Sequence, residues 1–404
     1  MDHPHYPQPF LERVRIRNYK SIGQCDLALR PLTILVGRNG AGKSNFLDAL
    51  QFVTDALLGS LDSAIKGRGG IDDVRRRSTG HPRNFAIELE VVLTAAERAR
   101  YGFEIAAGPE FGFAVKDEWL QVQQGGASAV FVRRGSEIVR SSLSNMPPVS
   151  DNRLYLVNAA GLPEFRGVYD ALAAMGFYSF SPEAMRELQK PDAGELLQSD
   201  GSNIASVLER LTADQTSVKE RIRAYLSRIV PGIVDLERIA LGPSETLLFR
   251  QEVEGSKHPW KFYAASMSDG TLRTLGALVA VTQLASRKHP VPLVGIEEPE
   301  TALHPAAAGA LVAALREVTD HTQILLTSHS ADLLDEVSLE EDGLLVVAAD
   351  GGTTRIAPID GASREALKSH LYTAGELLRL DQLHPDAEDL RRQEQLRFSF
   401  SESE

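Results

Sequence analysis

Eight residues, Gly37-Arg38-Asn39-Gly40-Ala41-Gly42-Lys43-Ser44, constrain this chain more than any other stretch. They follow an apolar run, Leu32-Thr33-Ile34-Leu35-Val36, and lead into an amphipathic segment that begins Asn45-Phe46-Leu47. A strand, a glycine-rich turn and a helix in that order make a phosphate-binding P-loop. Glycines let successive backbone N–H groups point inward, the lysine reaches the β and γ oxygens, and the serine hydroxyl binds Mg²⁺. The helix adds its N-terminal partial charge.

The rest of the chain supplies what such a loop needs around it. Residues 11–36 read as two strands, and a helix is expected over roughly 43–58. Lys66-Gly67-Arg68-Gly69-Gly70, followed by Arg75-Arg76-Arg77 and Arg83, reads as a flexible basic loop. From 84 to 140 the apolar period is two, as in Phe85-Ala86-Ile87-Glu88-Leu89, which predicts an antiparallel β-rich insertion. After a Ser/Pro/Asn linker between Ser141 and Ser150 the pattern turns helical. A short helical lobe is expected over 160–240, with Val218, Ile222, Tyr225, Leu226 and Ile229 on one face. No sustained heptad pattern occurs there, which excludes a long coiled-coil arm.

The last third alternates helices (271–286 and 303–318) with strands (Leu293–Ile296, Ile324–Thr327 and Leu344–Ala348), which predicts a mainly parallel sheet. Residues 1–380 thus read as one α/β P-loop unit. Residues 381–404, polar and charged, read as a mobile tail.

Composition narrows the function classes. The 404 residues carry a net charge of −12, which argues against nonspecific nucleic-acid binding by the surface as a whole and leaves a local basic patch to be argued separately. The single cysteine, Cys25, excludes an internal disulfide framework and a paired-cysteine metal site, and fits a reducing cytosol. The absence of any long apolar run predicts a cytoplasmic protein that does not span a membrane.

Three further motifs carry chemistry. Leu293-Val294-Gly295-Ile296-Glu297-Glu298-Pro299-Glu300 is an apolar strand ending in carboxylates. There Glu297 is expected to hold Mg²⁺, and Glu298 to orient and polarise the attacking water. Ser268, Asp269 and Gly270 precede a helix whose apolar positions Leu272, Leu275, Leu278 and Val279 share one face, so they cap it and offer an anion site. His329, in Thr327-Ser328-His329-Ser330, follows an apolar strand and can reach a γ-phosphate, because strand ends converge on the ligand crevice of an open α/β sheet.

In this order the motifs resemble ATP-binding-cassette (ABC) ATPases of the SMC/RecF type, and particularly the stand-alone AAA family ATPases related to OLD-family (overcoming lysogenization defect) proteins. The resemblance runs from about 11 to 380. It includes Ile16-Arg17-Asn18-Tyr19-Lys20-Ser21-Ile22 and Glu297-Glu298-Pro299-Glu300-Thr301-Ala302-Leu303-His304-Pro305. It implies a fold of ABC-ATPase type and cofactors ATP and Mg²⁺. It places Gly37, Arg38, Asn39, Gly40, Ala41, Gly42, Lys43, Ser44 and Asn45 on the phosphates, the base near Asn18 and Lys20, and Ser44 and Glu297 on the metal. Lys43, Glu298 and His329 are the implied catalytic residues. Ser268-Asp269-Gly270 stands at the ABC signature, Glu300 to His304 at the D-loop and His329 at the switch histidine. No clear Q-loop glutamine is visible, Gln51 and Gln189 being the candidates.

The resemblance also implies a head-to-tail, ATP-dependent homodimer, each P-loop sandwiching ATP against the other copy's signature, in the setting of DNA repair or defence against phage. Nuclease-bearing relatives continue into a Toprim domain; here that part implies a separately encoded nuclease or toxin effector. Lys66, Arg68, Arg75, Arg76, Arg77 and Arg83, with Arg133 and Arg134, are the candidates for touching DNA phosphates. Two competing classes are a slow nucleotide-sensing scaffold and, less compatible with the β-rich insertion, the nucleotide-binding subunit of a transporter.

Overall fold

The computed structural model describes residues 10–78, 82–108, 112–213, 216–285, 291–339 and 341–395. The strands are β1 (Leu11–Tyr19), β2 (Ile22–Ala28), β3 (Leu32–Val36), β4 (Asn84–Thr94), β5 (Glu97–Ala107), β6 (Phe113–Gln124), β7 (Ala127–Arg134) and β8 (Glu137–Ser141). They continue with β9 (Gly176–Tyr178), β10 (Ile233–Leu241), β11 (Ser244–Gln251), β12 (Trp260–Tyr263), β13 (Leu293–Glu297), β14 (Gln323–Ser328), β15 (Gly343–Asp350) and β16 (Thr353–Pro358).

Among the described residues thirteen of these form one mixed sheet, in the order β8-β7-β6-β5-β4-β1-β2-β16-β15-β3-β14-β13-β9. Strands β15, β3, β14, β13 and β9 are mutually parallel, which fulfils the expectation for the last third of the chain. All five residues of β3 and all six of β14 are buried, as parallel strands covered on both faces require. Strands β1, β2 and β4 to β8 form an antiparallel wing. The β-rich insertion is therefore no separate sheet; it extends the central one edge to edge. The wing's charges are paired: Arg15 lies 2.5 Å from Glu88, and Arg17 lies 3.1 Å from Glu104.

Period-two alternation sends side chains to two cores. Leu35 of β3 joins one, with Tyr19, Phe46, Leu50, Phe52, Phe85 and Phe103. Leu32, Ile34 and Val36 join the other, with Phe180, Leu226, Phe249, Leu272 and Leu311. The P-loop helix, Lys43–Leu58, thus covers one face of the sheet, and the helix Asp269–Ala285 covers the opposite face. Edge-to-face contacts of Phe52 with Tyr19 (5.9 Å) and Phe85 (5.4 Å) weld the P-loop helix to the wing.

Register then fixes the site. Glu297 pairs with Thr327, and Ser328 with Val36, so β13, β14 and β3 end at one level. The residues that follow them, Glu298, His329 and Gly37, emerge together.

Three expectations need correction. The lobe expected to be helical over 160–240 also holds β9 and the first strand of a separate three-stranded sheet, β10-β11-β12. The alternation in Leu236-Glu237-Arg238-Ile239 carries that strand. Residues 382–395, expected to be part of a mobile tail, are docked: Leu383 is buried, Asp386 N donates to Pro358 O (2.9 Å), and the buried Gln393 side chain of the helix Ala387–Gln395 donates to Ile356 O (3.0 Å). The rest of that segment, 396–404, lies outside the described residues. Within the basic loop Ile71–Val74 is helical and Lys66 ends the helix Leu61–Lys66, while residues 79–81 lie outside the described residues.

Candidate nucleotide-binding site

The P-loop closes through backbone contacts its sequence permits. Gly42, at φ 100°, turns the chain into the helix, and a Cβ there would lie 2.0 Å from Thr354 Oγ1. Thr354 uses that hydroxyl to donate to Ala41 O (2.8 Å) and sits 2.6 Å from Ser21 Oγ. Asn45 Nδ2 also bonds to Ser21 (2.5 Å). Asn45, expected among the nucleotide contacts, thus also braces the back of the loop. Arg38, Asn39, Gly40 and Ser44 are exposed, and Gly37 and Ala41 are buried.

Lys43 is only 5 % exposed, and its Nζ donates to Gly37 O (2.9 Å) and Arg38 O (3.3 Å). Burial pulls its ammonium pKa below the usual lysine range, opposed by the nearby carboxylates Glu298, Glu300 and Glu297. A buried cation folded onto its own loop, with carboxylates as its counter-charges, marks a place for an anion.

Glu298 stands at that place. Its N–H donates to Thr327 O (3.0 Å), extending the β13 and β14 pairing by one residue, and its φ of 42° turns the side chain off the strand line. Its carboxylate reaches Lys43 Nζ (3.7 Å) and His329 Nδ1 (3.2 Å), and Thr301 Oγ1 lies 3.5 Å away. A left-handed conformation for glutamate is costly, and such strain collects where geometry is functional. Lys43, Glu298 and His329, expected from separate motifs, are thus brought together.

Glu297 ends β13 half-buried, and its Oε2 accepts from Ser179 Oγ (3.3 Å). Among the described residues no group of three His, Cys, Asp or Glu side chains is arranged to hold a metal ion. Mg²⁺ takes one or two protein ligands and completes its shell with water and phosphate. The exposed Ser44 hydroxyl and Glu297 fit that role.

Ser268 and Asp269 lie exposed at the start of the helix Asp269–Ala285, where Thr271 N donates to Ser268 Oγ (3.2 Å). Asp269 pairs with Arg186, which also donates to Met267 O (2.8 Å). Among the described residues no hydrogen bond or ion pair joins Ser268, Asp269 or Gly270 to the P-loop of the same chain. The structure therefore assembles Gly37–Ser44, Glu297, Glu298 and His329, and joins Ser268, Asp269 and Gly270 to none of the P-loop residues by a hydrogen bond or ion pair among the described residues.

A family model described as "AAA domain, putative AbiEii toxin, Type IV TA system" matches residues 32–141 and 160–335, more than half of the chain. The chain belongs to this AAA domain family. It is 34 % identical over 94 residues to the DNA replication and repair protein RecF of Gloeobacter violaceus, 22 % of this chain and 24 % of that one. It is 42 % identical over 53 residues to the OLD nuclease of Thermus scotoductus, 13 % of this chain and 10 % of the relative. The chain thus spans a quarter or less of the length of these curated relatives. The solved structure of an Smc head bound to the C-winged helix domain of ScpA superimposes at TM-score 0.54 with 14 % identity, covering 88 % of this chain and 100 % of that one. The Smc head with an extended coiled coil from Pyrococcus furiosus, bound to the C-terminal domain of ScpA, gives 0.50 at 13 % identity, covering 90 % and 99 %. The fold is that of an SMC head, and over part of its length the chain is similar to RecF and to the OLD nuclease.

Among the described residues neither Q-loop candidate, Gln51 or Gln189, hydrogen-bonds to Glu297 or the P-loop. Gln189 is buried and accepts from Ala205 N (2.9 Å) while its backbone pairs with Glu245. Gln51 lines a different cavity, with Asp48, Asp55 and Arg68. Ser179, directly after β9, touches Glu297 instead and leads through Pro182–Arg186 to Asp269, so it joins Glu297 to the start of the helix Asp269–Ala285. A three-residue strand in Gly176-Phe177-Tyr178 was its only sequence signal.

The turn Asn18-Tyr19-Lys20 packs against the P-loop helix: Asn18 and Lys20 have φ of 56° and 46°, and Lys20 Nζ lies 2.6 Å from Asp48. Most of the proposed DNA contacts are neutralised. Lys66 pairs with Asp62, Arg68 with Asp48 and Asp55, Arg75 with Asp72, and Arg77 with Asp73. Arg76 bonds to Thr353, and Arg133 is buried beside Glu118. Short acidic neighbours three or four residues away, such as Asp62, Asp72 and Asp73, already sat in the sequence. Arg83 is exposed.

Proposed function

We propose that this AAA-family chain hydrolyses ATP to ADP and phosphate and works as an ATP-dependent dimeric switch. The observation that carries the reading is the convergence of Lys43, Glu298 and His329 where β3, β13 and β14 end. Residues Gly37 to Ser44 bind the phosphates, with the base toward Asn18 and Lys20. Mg²⁺, when bound, neutralises phosphate charge, and Ser44 and Glu297 are the residues to hold it. Glu298 leaves its contact with Lys43 when the γ-phosphate takes the ammonium, and orients a water. The water oxygen bonds to the γ-phosphorus as the bond to the β–γ bridging oxygen breaks, and Glu298 takes up the proton. His329 donates toward the γ-phosphate.

The signature enters from a second copy. Ser268 and Asp269 are exposed and unattached to their own P-loop, which supports a head-to-tail homodimer closed by ATP and opened by hydrolysis. Partial likeness to a DNA repair protein and to a nuclease supports a cytoplasmic role in DNA repair or defence, with a separately encoded effector. Among the described residues no helix is long and apolar enough to cross a membrane. The paired loop from Lys66 to Arg77 is not part of this proposal; Arg83 remains the candidate contact with a DNA phosphate.

Glu298→Gln should lower kcat by about a hundredfold while ATP still binds. Lys43→Ala should lose ATP binding. Wild type turning over no faster than Glu298→Gln would instead make the chain a nucleotide-sensing scaffold.

A further inference from the structure

Glu300 is a charged residue type at 6 % exposure, two residues beyond Glu298, with no role in the scheme above. Its Oε1 accepts from Ser328 Oγ at 2.5 Å, and its Oε2 is buried with no hydrogen-bond partner. Ser328 is itself fully buried and accepts from Ser330 N (3.0 Å). Ser330 in turn caps the next helical turn, its Oγ accepting from Leu333 N (3.3 Å). A continuous chain of bonds therefore runs from the Glu300 carboxyl through Ser328 to Ser330, and His329 is the residue between the two serines. The far end of the same turn is clamped as well. Ala302 is in the left-handed region (φ 66°), and Gly270 packs so tightly that a Cβ would lie 2.2 Å from Ala302 O.

We infer that Glu300 is a positioning residue for hydrolysis: through Ser328 it fixes the backbone that carries His329, and it anchors one end of a strut whose other end, at Ala302, bears on the signature helix. A carboxyl buried with half its bonding capacity unused is an expensive way to hold a loop. A well-packed apolar residue would stabilise the fold at lower cost, but it could not grip Ser328. Burial holds the carboxyl pKa above its usual range, with the Ser328 bond opposing that rise.

The inference rests on the hydrolytic reading and is tested apart from it. Glu300→Ala and Ser328→Ala should each lower kcat about tenfold with KM for ATP unchanged, and the double variant should be no slower than either. Glu300→Gln, whose amide oxygen still accepts from Ser328, should stay within about threefold of wild type. Backbone hydrogen exchange at 328–331 in the nucleotide-free chain should quicken in both alanine variants and not in Glu300→Gln. Unchanged kcat and unchanged exchange in Ser328→Ala overturn the inference, as does an additive double variant. Absence of turnover in wild type overturns the hydrolytic reading alone, and the exchange measurement still decides whether Glu300 holds the loop.

Discussion

Two buried glutamates, one in the antiparallel wing and one beside the nucleotide site, show how the same side chain serves two ends. Glu118 on β6 is fully buried and saturated: it accepts from Tyr155 N (2.5 Å), Leu156 N (2.9 Å) and Tyr101 OH (3.0 Å), with Arg133 at 3.7 Å. Glu300 is nearly as buried and has one donor, Ser328. Burial raises both carboxyl pKa values. The difference lies in what each carboxylate is attached to. Glu118 joins strand, helix start and guanidinium into one rigid unit; Glu300 holds only the loop beside the reacting groups. Satisfaction of the bonding capacity, more than burial, separates a structural carboxylate from one placed for function.

The comparison breaks first at Glu118. Glu118→Ala leaves the Tyr101 hydroxyl and two amides buried without their acceptor and Arg133 without its nearer carboxylate, so it should destabilise the protein by about 3–5 kcal/mol. A denaturant melt would show this, and ATP binding per folded molecule should be unchanged. A loss no larger than that caused by Glu300→Ala would show that saturation does not distinguish the two sites.

Gly270→Ala probes the other side. The new Cβ would meet Ala302 O at 2.2 Å, an overlap that backbone shifts must relieve at about 1–3 kcal/mol. The displaced turn carries Glu300, so kcat should fall more steeply than the modest drop in melting temperature suggests. If kcat survives while stability falls, the turn transmits nothing and the clamp is only packing.

Legibility in the sequence followed contiguity. Gly37–Ser44 and Glu297-Glu298 are each continuous strings whose residue types state their chemistry, and the structure brings them together where expected. The parallel strands were legible because Leu32–Val36 and Leu293–Ile296 are unbroken apolar runs. What could not be read depends on distant partners. Ser179 matters because β9 lies beside β13, a pairing of residues more than a hundred positions apart. The basic loop looked free because Asp48 and Thr353, which hold Arg68 and Arg76, lie elsewhere in the chain. Asp381–Gln395 looked mobile because its docking buries only one glutamine and one leucine and otherwise uses polar contacts such as Asp386 N to Pro358 O, too little apolar pattern to register.

The smallest expected effect is also the most direct test of the contrast between the two carboxyls. Glu300 has a raised folded-state pKa, so the folded chain keeps its proton over a range where the unfolded chain has released it. Its contribution to stability is fully present below the ordinary carboxyl range, near about 4.3, and is lost as pH rises through the raised value. Glu300→Gln removes that titration and leaves Glu118 and Lys43 in place, so their contributions cancel between variant and wild type to the extent that they are independent of Glu300. Lys43, Glu298 and His329 surround the carboxyl electrostatically: Lys43 and His329 favour the ionised form, and Glu298 opposes it. Wild-type stability should therefore fall relative to Glu300→Gln as pH is raised from the ordinary carboxyl range through the raised value, seen as a melting temperature that drops relative to that of the variant. Parallel curves over that interval would mean that Glu300 ionises as freely in the folded chain as in the unfolded one. The second oxygen would then have a partner in solution, and the carboxyl beside the site would be as fully satisfied as the one in the wing.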